Sequence, residues 1–234
     1  MKSKKIKIVL IILVVLLVII LCFSAGVYAA YVLGATDVSY TKPDGSTVSV
    51  KSALDEIYTM AQKPYSIGEE VTVGGEYFYV ISDAGITVEL LAKYVLNSEA
   101  VAQENEDTDC VFSTNNYWKN EKLPTSSPYF NLNTYPAVLN DTGSAVHKAD
   151  SYAKSKGAVS GRLLTYEEAN NLKYSYSDMI YVTYGKSKYY WLGSAMDGSG
   201  VWSIENGQVS GGLSYDDDNV GVRPVIKILK SKIS

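Results

Sequence analysis

The feature that most constrains this chain is the run Ile8–Phe23, almost unbroken Ile, Val and Leu, with a softer apolar stretch continuing to Leu33. Residues 8–33 are long enough, at about 1.5 Å per helical residue, to cross a hydrocarbon core of about 30 Å. Lys2, Lys4, Lys5 and Lys7 flank the run on its N-terminal side, and no further basic residue follows before Lys42. That asymmetry predicts a cytoplasmic flank at 1–7, a single-pass membrane anchor at 8–33 and an extracytoplasmic remainder. A cleaved signal peptide is the alternative, because Val27-Tyr28-Ala29 resembles a small-residue cleavage signal. The apolar core exceeds the usual signal length of about 7–15 residues, which favours the anchor. Leu21 before Cys22 does not fit a lipid-attachment box, so Cys22 reads as a bilayer cysteine.

Charge narrows the function classes. With the four flanking lysines set aside, 17 basic residues stand against 25 acidic ones, a net of −8. Such a domain lacks the basic stripe that phosphate binding requires, so no nucleic-acid partner is expected. Solubility explains the acidity without a ligand. The two cysteines, Cys22 and Cys110, are too far separated in context to form a disulfide framework. Cys110 reads as a buried small hydrophobe, with a free thiol as the alternative.

Beyond the anchor, 34–64 reads as a linker and a short amphipathic helix. Pro43-Asp44-Gly45 marks a turn or hairpin. Val50, Ala53, Leu54, Ile57 and Ala61 share one helical face, with Ser49 as cap and Pro64 as stop. Docking on the following domain is the plainer role for this helix, and pairing of 49–61 between copies is the alternative. Residues 65–234 read as an α+β globular domain. Glu70–Val73 and Glu76–Ile81 flank a Gly74-Gly75 turn, and Ile86–Ala92 completes a three-stranded meander. Residues 97–109 form a polar excursion and 115–141 a long loop, a length often associated with function. Ser144–Lys156 reads as a helix closed by Gly157, and Thr165-Tyr-Glu-Glu168 as a capping box starting another. Short strands follow at 189–192, 201–204, 208–213 and 221–229, with a tight turn at Glu205-Asn206-Gly207.

The ordered elements Arg162-Leu-Leu-Thr-Tyr-Glu-Glu-Ala169, Tyr190-Trp-Leu-Gly-Ser-Ala195, Val201-Trp-Ser-Ile204 and Gly221-Val-Arg-Pro-Val225 resemble the C-terminal half of C-type-lectin-like domains. The nearest pattern is the bacterial branch that includes formylglycine-generating-enzyme-like domains and retroelement variable proteins. The resemblance covers 65–234. It implies structural roles for Trp191, Trp202, Arg223 and Pro224: large apolar burial by the tryptophans, carbonyls or a carboxylate tied by the guanidinium, and a rigid start to the last strand. It also implies chain termini lying close together and a variable, ligand-binding loop surface. The cysteine pair that binds copper in the sulfatase-modifying enzymes is missing from the C-terminal half, and the sugar-binding motifs of calcium-dependent lectins are missing too.

No catalytic residues are expected. His147 is the only histidine, so Ser/His/Asp and Cys/His arrangements both depend on it, and it sits inside a predicted helix. Asp216, Asp217, Asp218 and Asn219 carry hard oxygen ligands of the Ca²⁺ type. Consecutive acids on a turn point in different directions, so a solvated acidic turn is the plainer reading and no cofactor or metal is assigned. The segment from Asp197 to Asn219 mixes Asp, Gly, Ser, Asn and Tyr, a palette of adaptable polar contacts and rigid aromatic area. Asp197, Ser199, Ser214, Tyr215, Asp216, Asp217, Asp218 and Asn219 are therefore the expected ligand-binding residues. The expected function is a membrane-anchored binding or adhesion module with a protein or glycan ligand. A structural envelope or pilus-like assembly protein is the alternative, and a degenerate enzyme of the same fold the third reading.

Overall fold

The computed structural model describes residues 39–42, 44–104, 109–121, 130–181 and 189–234. The expected flank and anchor at 1–33 lie outside them, as do 34–38. Among the described residues no helix is long and apolar enough to cross a membrane. The chain divides into two compact units, the first ending at Thr59 and the second running Met60–Ser234.

In the first unit, β1 (Ser39–Thr41) and β2 (Thr47–Ser49) form an antiparallel hairpin, followed by α1 (Val50–Gln62). The turn is closed by Asp44, whose Oδ1 accepts the Ser46 N–H at 2.9 Å. Ser49 caps the helix by accepting the Ser52 N–H at 3.0 Å. Val50, Ala53, Leu54 and Ile57 are half-buried.

The second unit is α+β. Its larger sheet is antiparallel throughout, in the order β3-β4-β5-β10-β6, built from Glu70–Val73, Glu76–Ala84, Thr87–Ala92, Pro224–Leu229 and Ser160–Leu163. Gly74 and Gly75 both take positive φ in the β3–β4 turn, as that turn type demands. Alternation along each strand feeds two cores. Phe78, Val80, Leu90, Ala92, Ile226 and Ile228 enter one, while Leu91 and Val225, with Tyr79 and Ile81 packed against them, enter the other. Both faces of this sheet are therefore covered.

The smaller sheet, β7-β8-β9 (Tyr189–Ala195, Gly200–Glu205, Gln208–Ser214), contributes to both cores through Trp191 and Val201 on one side and Tyr190, Leu192 and Ile204 on the other. The helices are α2 (Pro136–Leu139), α3 (Ala145–Ser155), α4 (Tyr166–Ser175) and α5 (Ser177–Ile180). Ser144 caps α3, and the Thr165–Glu168 box caps α4 with both reciprocal bonds present. Glu76, buried at the start of β4, ties the hairpin to α3. Its carboxylate accepts the Tyr152 hydroxyl at 2.6 Å and the Ala102 N–H at 2.8 Å, and pairs with Lys156. Burial, with Glu76 beside it, pushes the Tyr152 phenol well above its ordinary range. The last residue, Ser234, donates its N–H to Thr72 O at 3.1 Å, so the end of the chain lies along the edge of β3.

The structure departs from the sequence expectations at several points. The strand expected at 221–229 begins only at Pro224, because Gly221 is diverted to a parallel bridge with Tyr190. β6, α2 and α5 are additional elements. The polar excursion at 97–109 is an ordered turn as far as Glu104: Asn97 is buried, its Oδ1 accepts the N–H groups of Glu99 and Val101, and Leu96 bridges Ala102. Cys110 is buried and free.

Candidate functional site

The expected site residues fall on two turns that the β8–β9 register brings side by side. Asp197 and Ser199 sit between β7 and β8, Ser214 ends β9 with Tyr215–Asn219 following it, and Gly200 stands opposite Ser214 across the ladder. Asp197, Ser199, Ser214, Asp216, Asp218 and Asn219 are exposed, while Tyr215 and Asp217 are half-buried.

Each turn is closed by its own side chains. Asp197 Oδ1 accepts the N–H groups of Ser199 at 2.8 Å and Gly200 at 2.5 Å. These backbone bonds hold its carboxyl below the usual range. In the second turn the Ser214 hydroxyl donates to Asp216, Asp217 Oδ1 accepts the Asn219 N–H at 3.0 Å, and Asp218 accepts the Asn219 amide at 3.2 Å. The three consecutive carboxylates thus bond to neighbours within the turn. Among the described residues no group of three or more His, Cys, Asp or Glu side chains converges as a metal site.

A third segment, which sequence reasoning left as loop, holds these turns in place. Trp118 is fully buried and its Nε1 donates to Asp197 O at 3.1 Å. Its ring meets Tyr215 edge-on at 6.1 Å and Phe112 edge-on at 5.6 Å, and Phe112 meets Trp191 at 5.6 Å. An aromatic column therefore runs Trp191–Phe112–Trp118–Tyr215, from the core to the loops. Trp191 Nε1 anchors its inner end on Cys110 O at 2.6 Å. The Ser113 N–H donates to Tyr215 O at 3.2 Å, fastening the outer end.

Asp141 fixes the same segment from the other side. Its Oδ2 accepts the Thr114 N–H and hydroxyl, both at 2.7 Å, and Oδ1 accepts the Gly143 N–H at 3.0 Å. Burial alone would raise this carboxyl, but these bonds outweigh it and hold the group below its ordinary value. Tyr135 donates its hydroxyl to Glu121 at 2.8 Å and lies 3.3 Å from Tyr117 O, and the Tyr117 side chain is exposed. The sequence signals for this segment are the length of the 115–141 loop and the cluster Asn115-Asn-Tyr-Trp118, in which a tryptophan stands amid polar residues.

The residues expected to be structural behave as follows. Trp191 is fully buried. Trp202 is half-buried: it packs against the second core and meets the Tyr166 ring at a tilt, with centroids 4.5 Å apart. Arg223 is fully buried and ties carbonyls rather than a carboxylate. Its Nε donates to Ala92 O at 2.7 Å, and Nη1 to Tyr190 Oη at 3.1 Å and to Ile180 O at 3.4 Å. Pro224 opens β10.

His147 lies in α3, beside the C-terminal end of α2. Its Nδ1 lies 3.0 Å from Leu139 O; a carbonyl only accepts, so this nitrogen carries the proton. What the loop face offers is a fixed, irregular and largely acidic surface, suited to non-covalent recognition. Comparison of the chain with protein-family models, with curated proteins and with solved structures returns no match.

Proposed function

We propose that this chain is a membrane-anchored, extracytoplasmic binding module whose ligand face is formed by 112–121, Asp197–Gly200 and Ser214–Asn219. The observation that carries the reading is the aromatic column. Two exposed polar turns and a third loop are fastened to one buried Trp–Phe–Trp core, so the surface is irregular yet pre-ordered, which lowers the entropic cost of binding. Tyr215 and Tyr117 supply rigid aromatic area, and the surrounding Ser, Asn and Asp supply adaptable hydrogen bonding. The C-type-lectin-like fold belongs to the same proposal. It is supported by the two short-stranded antiparallel sheets, by the end of the chain at the edge of β3, and by the burial of Trp191 and Arg223. Because the carboxylates of Asp216–Asp218 bond within their own turn, binding is expected to need no Ca²⁺. The test is a protein and glycan array probed with the full chain in a sugar-free detergent, with and without Ca²⁺. Equal retention of every ligand by Tyr215→Ala would sink the assignment of this face.

A second reading concerns α1. Its apolar stripe, Val50, Ala53, Leu54 and Ile57, stays only half-buried, which favours assembly of copies through 49–61 as a stalk or envelope element. Sedimentation of the full chain and of Ile57→Asp decides it: a shift from oligomer to monomer supports assembly, and a monomer in both excludes it.

A further inference from the structure

We infer that the cleft between α4 and the Ser66–Glu69 turn is a second ligand site, shaped for a single neutral pyranose ring. It shares no residue with the loop face and goes beyond that reading. The cleft has a volume of about 270 Å³. That is just under the range of about 300–1,000 Å³ typical of small-molecule sites and leaves room for one ring.

Its walls differ in chemistry. Ile67, Ile81 and Leu172 make the apolar side, and Tyr176 stands at the end of α4. Gly68 has φ +89°, and a Cβ there would lie 3.2 Å from the Tyr176 ring. The missing side chain lets this ring rest against the turn. Glu168, Asn171 and Ser175 line the polar side at i, i+3 and i+7 of one helix.

The hydrogen-bonding capacity of that side is partly unspent. An ionised carboxylate offers about four acceptor positions. Glu168 spends three: Oε2 takes Arg162 Nη1 at 2.7 Å and the Thr165 N–H at 2.9 Å, and Oε1 takes Arg162 Nη2 at 2.7 Å. One position on Oε1 remains. Among the described residues the Asn171 amide and the Ser175 hydroxyl have no hydrogen bond of their own. Acceptor, amide and hydroxyl therefore stand in line opposite an apolar wall. A pyranose has the matching form, with a C–H face for the apolar wall and a rim of hydroxyls for the polar one.

Charge selects a neutral ring. Arg162 already neutralises Glu168 with a two-pronged pair, and its Nη2 also reaches Glu89 at 2.8 Å. This triad of two carboxylates and one guanidinium repels an anion, and the charge of Arg162 beside Glu168 weakens its pull on a cation.

The test is saturation-transfer NMR on the full chain in a sugar-free detergent, using methyl glycosides of glucose, galactose, mannose and N-acetylglucosamine up to about 10 mM. Cyclohexylamine serves as the cationic control. The expected result is saturable binding of at least one glycoside, weakened about tenfold by Tyr176→Ala or Asn171→Ala and unchanged in Tyr215→Ala. Both cleft positions are exposed, and Asn171→Ala keeps the test valid if Tyr176→Ala lowers thermal stability. The proposal is overturned if no glycoside binds, if Asn171→Ala binds as tightly as the parent chain, or if cyclohexylamine binds more tightly than every glycoside.

Discussion

Replacing Trp118 by alanine should remove the pin that holds the loop face. An aromatic side chain of this size buries about 150–250 Å². At about 25 cal/mol per Å² that corresponds to roughly 4–6 kcal/mol. The indole bond to Asp197 O contributes about 1 kcal/mol, and the edge-on contacts with Phe112 and Tyr215 add ~0.5–1.5 kcal/mol each. Alanine retains part of the burial, and a loop segment relaxes more readily than a strand. The expected cost is therefore about 3–5 kcal/mol, read from urea unfolding. Trp118→Phe keeps a six-membered ring and loses the N–H donor with the pyrrole part of the indole, so it should cost about 2 kcal/mol. Hydrogen exchange separates local from global effects. In Trp118→Phe the amides of Ser199 and Gly200, which bond to Asp197, should exchange faster while the β5–β10 amides do not. A cost under about 1 kcal/mol for Trp118→Ala, or uniform exchange changes in Trp118→Phe, would refute the column as the support of these turns.

Three further outcomes follow from the geometry. In Gly193→Ala the new Cβ would lie 2.1 Å from Asn133 Nδ2, so Asn133 must give up its two bonds to Leu163. We expect a loss of about 3 kcal/mol or more, and a double variant with Asn133→Ala that costs less than the sum of the singles. Arg162→Ala leaves Glu168 and Glu89 without their shared cation; because the site is partly solvated, about 2–3 kcal/mol is expected, against about 1 kcal/mol for Arg162→Lys. Asp141 has a depressed carboxyl, so its contribution is complete above the unfolded value near 3.9 and is lost as pH falls through the lower folded value. Asp141→Asn should be less stable than the parent chain by ~1–3 kcal/mol at neutral pH, with the gap closing below about pH 4 in pH-resolved unfolding.

The elements readable from sequence were those fixed by local chemistry. Gly74-Gly75 announces the first hairpin, Ser144 and the Thr165–Glu168 box announce α3 and α4, and alternation marks β4 and β5. What escaped is set by distant partners. β6 reads Ser-Gly-Arg-Leu with no period, and pairs because β10 and the Asn133 side chain meet it. Trp118 looked like a loop residue because its partners, Asp197 and Tyr215, lie far along the chain. For the loop face, composition picked out Asp197–Ser199 and Ser214–Asn219. The third segment showed only as part of a long loop, 115–141, since Asp141 and Phe112 bear on it only after folding. Trp202 packs against the second core but stays half-buried, a degree of cover that a tryptophan on a strand does not announce.

The most direct test of the central claim is the array measurement with the full chain and its Tyr215→Ala variant. The account predicts a specific ligand for the parent chain, retained without Ca²⁺ and lost in Tyr215→Ala while the unfolding midpoint stays close to that of the parent. A folded parent chain that retains no ligand, or equal retention of every ligand by Tyr215→Ala, would contradict it.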